Sequence, residues 1–265
     1  MNSTYRRITV KNSGRARWLA ALLLVLGCSY FLHMKGIAMP APENDRYIRD
    51  LTMTSKFCPA DFMPDGDLSK KVWRNAPRVK FDHDRMGHIH FPQSAMEVAS
   101  VWTPDYVYFA YRCKYETLNT FEGEDPAKER TLLWSRDVVE VFINPQPDRM
   151  KHYYELEVAP NNQWVDLLID LSNGWFSDMG WNSHFDHATK IDAQRHLWFT
   201  EMRIPVKSME ASAIRPGDTW RLNLYRLDGP GDDSTRRFLC WSPLPPGGNK
   251  SFHQPASFGI IEFVK

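Results

Sequence analysis

The sequence predicts an all-β fold, an antiparallel β-sandwich of two sheets with a jelly-roll or immunoglobulin-like architecture. Extended runs follow one another closely after residue 95, and Gly, Pro, Asn and Asp separate them. No window shows sustained 3.6-residue periodicity, so long helices are not expected. A chain of 265 residues can form one large all-β domain or two small ones.

The expected strands fall into three groups along the chain. Thr103-Pro104-Asp105 has the composition of a hairpin connection between the first two strands. Two short helical segments are expected at 68–75 and 206–212. The predicted strands are 96–102 and 106–115, then 137–144, 152–159 and 164–169, and finally 197–204, 219–227, 237–241 and 258–264.

The first 39 residues have the layout of an export signal. Basic residues precede an apolar run, 18–26, that is too short for a comfortable membrane-spanning helix. Val25-Leu26-Gly27-Cys28 resembles a bacterial lipoprotein box, in which Cys28 would be acylated. A lipoprotein, an uncleaved anchor that continues through Leu32, and a cleaved signal all remain open. Each places the domain outside the cytoplasm of a bacterium, in the periplasm or at the cell surface, and the first two attach it to the membrane.

The chain is therefore expected to contain a targeting segment at 1–39, a short tether at 40–59 and the sandwich at 60–265. The net charge of +1 provides no basic footprint for nucleic acid, so nucleic acid is excluded as a partner. Cys58, Cys113 and Cys240 are too widely spaced for a zinc site. They permit one disulfide plus an odd thiol, while Cys113 and Cys240 lie in predicted strands and can each be a small buried core residue, and the pairing stays open.

Aromatic-rich loops indicate what the sandwich binds. Residues 241–243 (WSP) and 249–259 (NKSFHQPASFG) place aromatics and amides around a double-glycine loop before the last strand. A flat aromatic ring packs on the C–H face of a pyranose, while polar groups around it bind the hydroxyls. We therefore expect a carbohydrate partner, either a monosaccharide, an oligosaccharide or a glycan end. In the loop 172–186, Trp175 and Trp181 are either exposed for ligand or folded back over the core.

Four sequence motifs occur in order between residue 60 and the carboxyl terminus. They are DGDL at 65–68 followed by Trp73, VWTPDYVY at 101–108, WSRDVVEVFI at 134–143, and WSP at 241–243 with FHQPASFG at 252–259. In this order they resemble the motifs of the family 9 carbohydrate-binding modules and their DOMON-like relatives. The motif at 134–143 is the most specific of the four. The resemblance implies a DOMON-type β-sandwich that binds carbohydrate without catalysis.

The resemblance also implies which residues bind the sugar. In sugar-binding members two aromatics clamp a terminal sugar, and Trp134 and Phe252 stand at the matching positions. Asp228 and Asn249 match polar residues that bind sugar hydroxyls. Glu157 stands near the place where the best-known members carry an arginine, and a carboxylate there can bind a sugar diol bidentately.

Calcium is a further expectation from the resemblance, because family members often hold it at loop oxygens. Asp65, Asp67 and Asp137 stand at motif positions suited to a hard cation. The alternative for these aspartates is turn chemistry at 65–66 and an ordinary strand start at Asp137.

Three other functional classes share the sandwich. A catalytic or accessory glycoside-hydrolase component in carbohydrate catabolism is the first, because hydrolysis needs two converging carboxylates. Asp137 and Glu140 point to opposite faces of one strand, whereas Glu155 and Glu157 share a face.

The second class is a haem-binding DOMON-like domain. Haem is not expected, because the chain has no CxxCH site. The third is a structural cell-surface module, which would have neither sugar affinity nor a ligand cleft.

Overall fold

The structure, a computed structural model, describes residues 51–123, 125–247 and 250–265. Its regular secondary structure consists mainly of strands. In chain order these are β1 (Thr52–Phe57), β2 (Arg78–Phe81), β3 (Met96–Trp102), β4 (Tyr106–Lys114), β5 (Val138–Asn144), β6 (His152–Val158), β7 (Trp164–Asp170), β8 (Phe176–Asp178), β9 (Asp186–Asp192), β10 (Leu197–Pro205), β11 (Thr219–Asp228), β12 (Arg237–Cys240) and β13 (Gly259–Val264).

Helical structure is confined to short turns in these parts of the chain. The α-helix α1 spans Lys71–Arg74, inside the first helical segment expected from the sequence. The second expected segment contains a 3-10 turn, Val206–Met209. The other 3-10 turns are Pro92–Ser94, Leu133–Ser135, Pro147–Arg149 and Pro255–Ser257. Within the described ranges, no helix has the length and apolar character needed to cross a membrane.

The strands form one curled mixed sheet in the order β8-β7-β6-β5-β11-β13-β1-β3-β4-β10-β9. Strand β12 pairs with β11, and β2 pairs with β3. The predicted all-β sandwich class is confirmed. The purely antiparallel arrangement is not, because β1 runs parallel to both β13 and β3. Parallel neighbours need long crossover connections, and both partners of β1 are distant from it in the chain.

Strand β1 lies within the segment that the sequence assigns to a tether. Met53 and Ser55 point inward and are buried, and Ser55 Oγ lies 2.8 Å from Ser100 Oγ on β3. Residues Thr52–Phe57 therefore belong to the sheet. A six-residue strand with one fully buried apolar side chain has too weak an alternation to be recognised from sequence.

The core occupies both faces of the central strand β5, all of whose residues are buried. Val139, Val141 and Ile143 pack in the large cluster that also contains Trp102 and Trp198 from the far half of the sheet. That cluster joins the two halves into a sandwich. On the opposite face, the side chains of β5 pack in a second cluster with β6, β7, β11 and the closing segment before β13. The candidate ligand cleft opens on this second face.

The opening motif of the domain is held by one buried carboxylate. Glu201 on β10 accepts hydrogen bonds from the Asp65 and Gly66 N–H groups, both 2.8 Å, and from Trp73 Nε1, 2.5 Å. Gly66 has φ of +75°, and a Cβ there would lie 2.9 Å from the Thr189 backbone. Glycine is therefore required at this position. The motif thus has a structural role, which is to fix the first loop against β10.

The three cysteines in the described residues, Cys58, Cys113 and Cys240, are free and buried. Cys113 and Cys240 therefore match the alternative of small buried core residues, and Cys58 is buried as well. Burial raises the pKa of the Cys113 thiol to about 12. Such a thiol stays protonated and unreactive at neutral pH.

Candidate functional site

One face of the β5, β6, β7 and β11 surface combines carboxylates with aromatic rings. In the β5–β6 register Glu140 lies opposite Glu157, and Phe142 lies opposite Glu155. Tyr225 on β11 lies opposite Glu140 on the other side. Because directly opposed residues on neighbouring strands point to the same face, these side chains all project away from the large cluster.

A cavity of about 340 Å³ opens on this face. Its volume is within the usual range of about 300–1,000 Å³ for small-molecule sites. Carboxylates, basic groups and aromatic rings surround an apolar floor. The lining residues are Arg85, Trp134, Glu140, Phe142, Glu155, Leu167, Ile169, Trp175, Ser177, Met179, Leu227, Phe238, Lys250, Ser251, Phe252 and His253.

The two aromatics expected to clamp a sugar, Trp134 and Phe252, both line this cavity. Trp134 lies in the 3-10 turn before β5, and its carbonyl oxygen accepts a 3.0 Å hydrogen bond from Arg236. Phe252 stacks on Tyr225 with ring centroids 4.1 Å apart, and the Tyr225 hydroxyl donates to the Phe252 carbonyl. The backbone of each aromatic is thus tied to a buried side chain, which keeps the two walls in position.

A third aromatic wall, Trp175, was identified in the sequence only as part of an aromatic loop. It is 62% exposed, lines the cavity and meets the His253 ring edge-on at a centroid distance of 4.4 Å. Trp181 from the same loop behaves differently, since it packs on Tyr154 at 4.8 Å against the large core cluster. Trp175 is therefore exposed at the cavity, whereas Trp181 folds back over the core, so each of the two alternatives left open for this loop applies to one tryptophan.

Glu140, Glu155 and Glu157 form a buried acidic cluster, the glutamate trio, beside the cavity. Glu140 and Glu155 line the cavity, while Glu157 is fully buried next to them. Burial raises the pKa of Glu155 to about 7. Burial, together with repulsion from the neighbouring carboxylates, raises the pKa values of Glu140 and Glu157 well above the usual range. Glu157, which was expected to contact the sugar, is therefore buried next to Glu140 and Glu155 and does not line the cavity.

His253 connects the trio to the aromatic rings. Its Nδ1 lies 2.8 Å from the Tyr153 hydroxyl, and its Nε2 lies 3.9 Å from Glu155 Oε2. Burial lowers the pKa of His253 to about 4, so the ring is neutral at pH 7. A neutral imidazole at the cavity wall can donate or accept a hydrogen bond from a hydroxyl-rich ligand.

Asp228, which was expected to contact sugar hydroxyls, is not among the residues that line the cavity. The carboxylate is fully buried and accepts hydrogen bonds from Arg226 Nη2, Arg237 Nε and Ser94 Oγ at 2.5, 2.6 and 2.5 Å. The structure therefore assigns the carboxylate to a buried ion-pair network with Arg226 and Arg237. Asn249, the other expected hydroxyl partner, and Cys28, the expected lipidation site, lie outside the described residues.

The structure does not assemble the three aspartates expected to bind calcium into one ligand set. Asp65 pairs with Lys70 at 2.6 Å, and Asp67 accepts the Ser69 N–H at 2.9 Å. Asp137, at the start of β5, accepts the Asn119 and Gly229 N–H groups at 3.0 and 2.9 Å. Each of the three carboxylates therefore has its own separate partners. In the described residues, the one group of three or more side chains with ligand atoms close enough for a metal is the glutamate trio.

A second cavity, of about 600 Å³, is larger but has a different character. Charged side chains including Arg78, Glu97, Arg112 and Arg195 dominate its wall, and Phe199 is its one aromatic among the described lining residues. It offers no pair of rings for a sugar to stack on. The smaller, aromatic-walled cavity is therefore the functional candidate.

An aromatic-walled cleft on a curled β-sandwich defines a ligand-binding module of the carbohydrate-binding type. The chain belongs to the carbohydrate family 9 binding domain-like family, whose model matches residues 65–265. No curated protein matches the chain.

Three solved structures share its fold. A putative carbohydrate-binding protein from Bacteroides uniformis is 17% identical, with a TM-score of 0.63 over 80% of this chain and 98% of that one. A family 9 module from Caldicellulosiruptor kristjanssonii in complex with cellotriose is 17% identical, with a TM-score of 0.56 over 81% and 94%. The same organism's module in complex with glucose is 16% identical, with a TM-score of 0.53 over 80% and 95%.

Proposed function

We infer that the chain binds carbohydrate, without chemical conversion, in the cleft between Trp134 and Phe252. The observation that supports this most strongly is that both aromatics border one cavity of about 340 Å³ with Glu140 and Glu155 beside them. Stacking on rings and hydrogen bonding to carboxylates are the two interactions that a pyranose needs. The cellotriose and glucose bound by the two Caldicellulosiruptor kristjanssonii structures make a β-glucan end a suitable first ligand.

The cleft favours a sugar end over the middle of a long chain. Trp134, Phe252 and Trp175 line one compact cavity together with His253, and no extended aromatic row is present along the described strands beside it. A row of rings would be needed to stack successive residues of a polysaccharide. Arg85 and Lys250 at the wall add donors for ring hydroxyls or for an acidic sugar.

The test is a glycan array with the purified full-length chain, followed by titration calorimetry with the best ligand. Trp134→Ala should weaken binding at least about fivefold, since a stacked aromatic contributes about 1 kcal/mol or more. Phe176→Ala is the matched control, because Phe176 adjoins Trp175 and is 53% exposed but does not line the cavity.

Two results would contradict the proposal. One is an array without any bound glycan, and the other is an equal effect of Trp134→Ala and Phe176→Ala. Release of reducing sugar from a bound oligosaccharide would indicate the glycoside-hydrolase alternative instead.

We further propose that the protein is exported and stays at the bacterial membrane. The support is the order of basic residues, apolar run and Cys28 within the first 39 residues. If Cys28 is acylated, Cys28→Ala should release the protein or leave it unprocessed, because affinity for the membrane depends on the attached chains. Unchanged retention in the membrane fraction favours an uncleaved helix, and recovery in the cytosol contradicts export.

A further inference from the structure

The fold brings the three carboxylates of the glutamate trio close together, although mutual repulsion opposes such an arrangement. Glu140 and Glu157 are directly opposed on antiparallel strands, and Glu155 lies beside both, with oxygen atoms of all three within 4.8 Å of one another. All three residues are at most 5% exposed. Like charges directly opposite each other across a sheet are destabilising, and burial increases that cost.

Several carboxylate oxygens of the trio have no hydrogen-bond donor from the surrounding described residues. Both carboxylate oxygens of Glu157, together with Oε2 of Glu140 and of Glu155, accept no hydrogen bond from a described residue outside the trio, while Glu155 and Glu157 interact with each other. Glu157 is itself fully buried. A buried carboxylate without a donor is uncommon, because the loss of its hydration is then uncompensated. This is an observation separate from the clustering, since each other buried carboxylate discussed above has its own donors.

Neighbouring basic groups neutralise the trio only in part, since Arg236 favours the charged forms of Glu140 and Glu157 through space. The Arg236 guanidinium donates to the Trp134 and Arg136 carbonyl oxygens, at 3.0 and 2.7 Å. His253 is neutral at pH 7 and lies 3.9 Å from Glu155. The remaining ways to stabilise three adjacent carboxyl groups are shared protons or a bound cation.

We propose that Glu140, Glu155 and Glu157 together bind a divalent hard cation of the calcium class at the edge of the ligand cleft. Three carboxylates supply up to six oxygen atoms, and calcium takes six to eight such ligands in flexible geometry. Glu140 and Glu155 also border the cavity, so water or a ligand hydroxyl can complete the coordination from that side. This site is distinct from Asp65, Asp67 and Asp137, and it shares Glu140 and Glu155 with the proposed sugar cleft.

The experiment is calorimetric titration of CaCl2 into chelator-treated, full-length protein without sugar. We expect one bound ion per chain and a rise in Tm of about 5 °C or more at a hundredfold excess over Kd. Glu157→Gln should weaken calcium binding at least about tenfold by removing a charged ligand. The same substitution should leave the Tm of the metal-free protein nearly unchanged, because burial already favours the uncharged form of Glu157, which an amide resembles in size and polarity. A purely structural role of Glu157 would instead lower the Tm of the metal-free protein.

Two matched variants make the outcome specific. Asp65→Asn alters an acid of the sequence-based calcium set that is 60% exposed in its side chain, and it should leave calcium binding unchanged. Trp134→Ala should also retain calcium, so a defect in sugar binding and a defect in cation binding are distinguishable. If Glu157→Gln does not fold, Glu155→Gln is evaluated in the same way.

Three outcomes would overturn the proposal. The first is no calcium binding, which would mean that shared protons stabilise the trio. The second is loss of calcium in Asp65→Asn with retention in Glu157→Gln, which would place the ion in the first loop. The third is binding of Zn²⁺ without binding of Ca²⁺, which would contradict a hard-cation site.

Discussion

Replacement of Asp228 by alanine tests whether this residue is structural or contacts the ligand. In the folded protein its carboxylate accepts from Arg226, Arg237 and Ser94. Arg226 is fully buried, and without Asp228 it keeps the 2.7 Å bond to the Ser94 carbonyl but loses its counter-charge. Arg237 is 19% exposed in its side chain and can turn to solvent. The cost therefore comes mainly from one uncompensated buried guanidinium.

Removal of one partner of a buried ion pair costs about 3–5 kcal/mol. For a domain of this size each kcal/mol lowers Tm by about 2–4 °C, so Asp228→Ala should lower it by about 6–20 °C. The free energy of unfolding is measured by urea denaturation, followed by tryptophan fluorescence. Asp233→Ala is the matched control, because Asp233 is 84% exposed and pairs with Arg236 at 3.5 Å. It should cost about 0–1 kcal/mol.

The structural account of Asp228 would be refuted by one clear pattern. If Asp228→Ala changes the unfolding free energy by less than about 1 kcal/mol while carbohydrate affinity falls, the carboxylate contacts the ligand. The expectation drawn from the family resemblance would then be right, and the assignment based on the ion pairs would be wrong. We expect the opposite pattern. The unfolding free energy should fall by several kcal/mol, while the carbohydrate affinity, calculated from the concentration of folded protein, should stay unchanged.

Three further predictions follow from buried groups. Trp73→Ala should lower the unfolding free energy by about 3–5 kcal/mol in a urea titration, because a fully buried ring is lost and its bond to Glu201 is broken. Burial lowers the pKa of His187 to about 4, so stability present above pH 6.5 should be lost as pH falls towards 4. Urea titrations between pH 7 and pH 4.5 should show a smaller loss in His187→Gln, and an equal loss would contradict the assignment. Burial raises the pKa values of Cys113 and Cys240, so a thiol reagent should modify them only after unfolding, and rapid labelling of the native protein would contradict their burial.

Most strands could be predicted from the sequence because their alternation is local. The predicted run 96–102 coincides with β3, and 152–159 and 219–227 each differ from β6 and β11 by one residue. Strand β1 could not be predicted, since its burial depends on partners almost fifty residues away in β3 and about two hundred away in β13. Its parallel direction also has no local sequence signature, because a parallel pair is defined by the crossover between its strands.

The sequence by itself determined the all-β class, because strand alternation is a local pattern. It also identified Trp134 and Phe252 as two aromatic walls of the cavity, because each lies within a short sequence motif. Only the tertiary structure decided which polar groups meet those walls. Asp228 has the same chemistry as a sugar-binding carboxylate, but the fold directs two arginines at it. The glutamate trio exists because the β5–β6 register places Glu140 opposite Glu157. A shift of that register by one residue would turn one strand's side chains to the other face, and single-strand sequence does not specify the partner's register.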